Sequence, residues 1–311
     1  MPERPVRPGR RPSRRALLLG TAGAGAVGAV GVGVGVEEGL LPGRGVVRRR
    51  LGLDGEPGRV PDARPGRLVT GSFVSDARGG VRTGWSVAYP PQVPGRPPPP
   101  EHPRVLVALH GLGGDHTTSF GRHLGLDRFL SDGVRRGLAP FAIASVDGGR
   151  SYWHRRPDGE DAGAMVLDEL LPLLAGRGLR TDRVALLGWS MGGYAALRLG
   201  AVLTSRRCAA VVAESPALWV RGEDASASGF RDAQEYAAYS VMGHQRDLAG
   251  IPVRVDCGDS DPFRDATGTY VDGFPAGARP VVHFGPGAHD LDYWRRMVPA
   301  QLRFVARHLT G

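Results

Sequence analysis

From residue 67 onward, short apolar runs alternate with longer stretches of helical spacing. The runs 105–109, 141–146, 184–187, 209–213, 253–257 and 280–284 are continuous and mostly β-branched or aliphatic. Strands of a parallel sheet have this texture, because helices cover both faces and leave neither to water. Segments 119–136, 162–175, 191–203, 232–249 and 265–274 predict helices between them. At the C-terminus, Leu291, Trp294, Val298, Leu302, Val305 and Leu309 recur at helical spacing and predict a helix over 291–309. Ahead of these, 67–75 and 81–89 predict a hairpin turned by Arg78-Gly79-Gly80. The alternation predicts one α/β domain over 67–311, a mostly parallel central sheet with helices on both faces.

The first 66 residues have a different texture. Ser13-Arg14-Arg15-Ala16-Leu17-Leu18 follows a basic stretch and opens a mildly apolar, Gly- and Ala-rich run over 16–36. This pattern resembles a twin-arginine export signal, which implies the export machinery as a partner and a destination outside the cytoplasm. No A-x-A cleavage site closes the run, and its length is enough to span a bilayer. Residues 1–36 are therefore expected to be an export signal or a membrane anchor. The chain meets a membrane in this reading only if 16–36 stays uncleaved. Residues 37–66, rich in Pro, Gly and Arg without periodicity, read as a linker or an irregular arm.

Charge changes this picture little. The net charge is +9, and all 40 basic residues are Arg. Residues 1–66 hold 12 Arg against 6 acidic residues, so most of the excess lies ahead of the predicted domain. The domain has no basic run interleaved with aromatics, which argues against nucleic-acid binding. Cys208 and Cys257 fall near opposite ends of two different predicted strands. A strand of about five residues spans roughly 17 Å, while a disulfide needs Cα atoms within about 7 Å. Two free, buried thiols are expected.

The candidate chemistry centres on Gly188-Trp189-Ser190-Met191-Gly192, a G-x-S-x-G pattern between the run 184–187 and the helix from 191. This strand–turn–helix setting is what a nucleophile elbow requires. Gly188 and Gly192 leave room where a Cβ would clash. Ser190 then stands at a helix N-terminus, whose dipole favours a developing oxyanion. A serine hydroxyl needs a base. His289, in the tight loop Gly285–Asp290 between the last strand and the last helix, is the first candidate. His283 is expected to pack within its strand, and His110 to hold its loop. His102, His116, His123 and His244 read as surface or loop residues. For the carboxylate that orients the base, Asp261 after the strand 253–257 is preferred, Asp259 comes second and Glu214 third. Asp290 suits the N-cap of the final helix. For the oxyanion hole, the N–H of Met191 and that of Leu112, in the loop His110–Gly114, are the natural donors. Tyr152, Trp153 and Trp219 follow strands on the same edge and either line a substrate pocket or pack their own loops.

Four stretches, LHGLGG at 109–114, GWSMGGYAAL at 188–197, CGDSDPF at 257–263 and GAHDLDYW at 287–294, occur in the order found in α/β-hydrolases. Together they resemble the putative-esterase group, which includes S-formylglutathione hydrolases, feruloyl esterases and mycolyltransferases. The resemblance implies an α/β-hydrolase fold and a triad of Ser190, Asp261 and His289, with Leu112 and Met191 as oxyanion donors. It also implies no metal, no cofactor and a small-molecule ester as substrate. The segment 215–250 is too short for a large cap domain. Hydrolysis of carboxylic esters through an acyl-enzyme is the expected activity. Transfer of the acyl group to an alcohol, and a non-catalytic hydrolase-fold binding protein, are the alternatives. Trp189 has no assigned role at this level.

Overall fold

Eight strands form a single sheet in the order β1-β2-β4-β3-β5-β6-β7-β8. The computed structural model describes residues 51–311; the expected export signal or anchor, 1–36, and residues 37–50 of the linker lie outside them. The hairpin β1 (Leu68–Ser75) and β2 (Val81–Ala88) is antiparallel, and β2 joins the sheet antiparallel to β4 (Ala142–Val146). The remaining strands, β3 (Arg104–Leu109), β5 (Arg180–Trp189), β6 (Cys208–Glu214), β7 (Val253–Gly258) and β8 (Val281–Gly285), run parallel.

The continuous apolar runs are explained by cores on both faces of the sheet. In β3, Val105, Val107 and Leu109 face one core while Leu106 and Ala108 face the other. In β5, Val184 and Leu186 alternate in the same way with Ala185, Leu187 and Trp189. The first face is covered by α2, which runs Ala162–Ala164, a wider π turn Met165–Leu170 and Leu171–Ala175, and by α3 (Met191–Arg207). The shorter α4 (Ala233–Tyr239) and α5 (Arg264–Asp272) add to that side. The second face is covered by α1 (Leu126–Arg135) and α6 (Leu291–Leu309). This is the α/β-hydrolase arrangement the sequence predicts, with no large cap domain among the described residues.

Two expectations need correction. The helix predicted over 119–136 begins only at Leu126. Gly121 and Gly125 take left-handed backbone (φ 65° and 79°), which interrupts a helix, and the Asp127 side chain accepts the Gly121 N–H. The helix predicted over 232–249 breaks after Tyr239, because Ser240 is extended and Gly243 is left-handed. It starts as expected, with the Asp232 carboxylate accepting the Glu235 N–H. Of the two readings of 37–66, residues 54–66 follow the irregular arm and belong to the same compact unit as the sheet, 54–311. The Gly58 N–H, for example, donates to the Asp292 carbonyl at 2.8 Å.

Cys208 and Cys257 are free and buried, as expected. Burial pushes the Cys208 thiol up to about 12 and the Cys257 thiol higher still, so both remain protonated.

Candidate active site

Strand β5 runs into α3 through a single residue, Ser190, whose backbone is left-handed at φ 56°. Such a conformation costs a non-glycine residue energy and persists only where neighbours enforce it. Here they do. A Cβ at Gly188 would overlap the carbonyl of Gly192, and one at Gly192 would overlap the carbonyl of Leu109. The Ser190 N–H donates to the Glu214 carbonyl on β6 (3.0 Å), and its own carbonyl accepts from Gly193, Tyr194 and Ala217. The turn is thus fixed from the strands on both sides.

The loops after β7 and β8 supply the facing side chains. The Ser190 Oγ lies 2.9 Å from His289 Nε2, and His289 Nδ1 lies 2.8 Å from Asp261 Oδ2. Because a carboxylate only accepts, Nδ1 carries the ring proton and Nε2 is left as an acceptor for the serine hydroxyl. Asp261 also accepts the Phe263 N–H at 2.9 Å, and its side chain is fully buried. The two loops are knitted together, since the Asp259 and Ser260 N–H groups donate to the Gly285 and Gly287 carbonyls, each at 2.8 Å. Asp290 caps α6 by accepting the Tyr293 N–H, as expected.

Met191 is the first residue of α3, where N–H groups have no acceptor within the helix. The loop after β3 passes directly beside Ser190. Gly111 and Gly114 close a turn at 3.0 Å with Gly113 left-handed, and a Cβ at Gly111 would lie 3.2 Å from that of Ser190. Leu112 sits in this turn with its side chain exposed. His110 holds the loop: Nε2 accepts the Gly148 N–H at 2.9 Å, so Nδ1 donates to the Gly111 carbonyl at 2.8 Å. Burial lowers its pKa and keeps the ring neutral.

The other sequence candidates separate clearly. Trp153 has no exposed surface. It packs against His110 at 5.0 Å and leaves no room for a Cβ at Gly148, so it supports loops instead of facing solvent. Tyr152 is nearly buried among Tyr194, Trp219 and Phe230. Of the three aromatics, Trp219 keeps partial exposure, and it meets Phe263 edge to face at 5.3 Å. Phe263 meets His289 in the same manner at 5.3 Å. His283 does not pack in the core; β8 is exposed at its start, and the ring stacks on Tyr293. Asp259 pairs loosely with Arg264, at 3.7 Å.

Glu214 serves Ser190 through its backbone, while its side chain points into a buried polar cluster. The Gln301 amide nitrogen donates to Glu214 and, at 2.8 Å, to Asp256, which Arg254 also pairs at 2.7 Å. Burial, reinforced by the Asp256 charge, pushes the Glu214 carboxyl well above the usual carboxylate range. Asp115, His116 and Asp147 bring potential metal-ligand atoms within 4.8 Å of one another. Asp147, however, already accepts from the Gly84 N–H, the His116 N–H and the His116 ring. This group ties β2 to two loops.

Sequence reasoning missed the rings around His289. Phe263 and Trp294 both meet it edge to face, at 5.3 Å and 5.1 Å. Trp294 packs against Trp189, whose place in the elbow is thereby explained. The signal was present, for Phe263 follows Asp261-Pro262 and Trp294 opens the final helix, but contact between them requires the fold.

Comparison with known proteins agrees with this architecture. A ferulic acid esterase structure superposes with a TM-score of 0.65 at 22% identity, covering 78% of this chain and 98% of its own. An S-formylglutathione hydrolase from Agrobacterium tumefaciens gives 0.65 at 18% identity, covering 80% and 98%. A ferulic acid esterase from Anaeromyces mucronatus, in complex with ferulic acid, gives 0.60 at 18%, covering 80% and 92%. No curated protein sequence matches the chain. The sequence model of the family described as Putative esterase matches residues 80–305, and the chain belongs to that family of α/β-hydrolase-type esterases.

Proposed function

We propose that this protein is a serine esterase that cleaves carboxylic esters through an acyl-enzyme, with Ser190 as nucleophile, His289 as general base and Asp261 as its orienting carboxylate. The observation that carries this reading is the unbroken hydrogen-bonded chain from Ser190 Oγ through the His289 ring to Asp261.

Ser190 Oγ attacks the ester carbonyl as His289 Nε2 takes its proton. Charge develops on the carbonyl oxygen, and the N–H groups of Met191 and Leu112 stabilise it there. The imidazolium, held by Asp261, then protonates the departing alcohol. Water enters, gives its proton to the same nitrogen and attacks the acyl carbonyl, releasing the acid and restoring Ser190. The partly exposed Phe263, next to His289, and Trp219, next to Phe263, support a substrate with an apolar or aryl group.

We also propose that the twin-arginine-like motif at 13–18 directs export, and that 16–36 anchors the protein if it is retained. Incubation with a fluorophosphonate probe, followed by peptide mapping, tests the enzymatic reading. An adduct on Ser190 is expected; a folded protein that takes up no probe would support a non-catalytic binding role instead.

A further inference from the structure

We propose that Asp54, Ser260 and Arg296 are positioning residues, and that the arm 54–58 clamps the two loops carrying Asp261 and His289. This rests on the triad reading above.

The arm precedes the first strand by about ten residues and lies against the start of α6. There is no room for a side chain at Gly58, where a Cβ would meet the backbone N of Arg296 at 2.5 Å and the Asp292 carbonyl at 2.6 Å. Two polar links connect the arm to the site. First, the Ser260 hydroxyl donates to Asp54 Oδ1 at 2.7 Å. Ser260 is the neighbour of Asp261, and its own N–H is bonded to Gly287 in the His289 loop. Second, the Arg296 guanidinium gathers three carbonyls. Nη1 donates to Asp54 at 2.9 Å and Glu56 at 2.7 Å, and Nη2 donates to Pro286. One cation therefore joins the arm to the loop that carries His289. A planar fork suits this arrangement; the point charge of a lysine does not reproduce it.

The consequence is mechanical. The loops after β7 and β8 are bonded to each other, so without an outside tether they can shift as a pair relative to Ser190. A displacement of about 1 Å in a reacting group can cost about 100-fold in rate. Asp54, on an arm that contributes no strand to the sheet, and Arg296, on α6, supply that tether.

The test uses the full chain with Asp54→Ala, Asp54→Asn and Arg296→Lys. Steady-state kinetics on a nitrophenyl ester are measured alongside the downfield proton NMR resonance of the His289 Nδ1–H, with thermal midpoints to identify any unfolding. Asp54→Ala is expected to lower kcat about 10-fold with KM nearly unchanged, and to broaden the resonance. Asp54→Asn keeps the acceptor for Ser260 and should restore both; Arg296→Lys should lower kcat. Wild-type kcat and resonance in Asp54→Ala, or an equal loss in Asp54→Asn, overturn the clamp. If the wild type itself neither hydrolyses esters nor takes up a fluorophosphonate, the esterase reading fails separately. The clamp is then decided by the resonance alone, and an unchanged signal in Asp54→Ala refutes it.

Discussion

Trp189 and Trp294 pack against each other at 6.4 Å, and through Trp294 the residue before Ser190 braces the His289 ring. Trp294 is fixed in turn by its indole N–H, which donates to the Ser215 hydroxyl at 3.0 Å. Trp294→Ala should therefore destabilise the fold by about 3–5 kcal/mol and lower kcat by about 100-fold by releasing the imidazole. Trp294→Phe, which keeps a ring beside His289, should recover most of kcat. Equal kcat in the alanine variant and the wild type would show that the brace has no catalytic consequence. Denaturant melts and steady-state kinetics on the same samples separate the two effects.

Gly192 is constrained more severely. A methyl group there overlaps the Leu109 carbonyl, a backbone atom that cannot swing aside. Gly192→Ala is expected to prevent formation of the elbow, with loss of soluble folded protein or a drop in stability above about 3 kcal/mol. A variant that melts with the wild type would contradict the described packing of α3 on β3.

The buried pair Glu214 and Asp256 makes stability depend on pH. With Asp256 paired to Arg254, Glu214 is the member that holds a proton. Its folded pKa lies above that of the unfolded chain, about 4.3. Above that pH the folded state binds more protons than the unfolded state, so stability falls as pH rises toward the folded pKa. The slope approaches about 1.4 kcal/mol per pH unit. Glu214→Gln should flatten this part of the profile in urea titrations taken across the pH series. An identical slope in the variant would mean that Glu214 titrates alike in both states.

Trp219 offers the test of substrate preference. Trp219→Ala should raise KM for aryl or long-chain esters by about 10-fold while leaving kcat/KM for an acetate ester nearly unchanged. A uniform loss across the ester series points instead to collapse of the Phe263 contact and hence of the His289 surroundings.

The sheet was legible because burial on both faces leaves continuous apolar runs, and all six such runs became strands. Ser190, Asp261 and His289 could be named as a set because each follows a strand whose end the pattern locates. Helix boundaries were less legible. At Gly121, Gly125 and Ser240 the backbone departs from helix while the side-chain spacing does not. The attachment of the arm 54–66 was not legible because Pro and Gly suppress periodicity; it runs largely through the Asp54 carboxylate and the carbonyls gathered by Arg296, with Val60 adding an isolated apolar contact to the second core. Trp153 shows the opposite limit. Its place after β4 put it on the site edge, but only packing revealed that its ring is turned inward.

The most direct measurement of the central claim is ester hydrolysis by the wild type and Ser190→Ala under identical conditions, with both proteins shown to be folded. If Ser190 is the nucleophile, the wild type cleaves a nitrophenyl ester and the variant loses more than about 10⁴-fold in kcat. A variant that retains near-wild-type turnover would contradict the account.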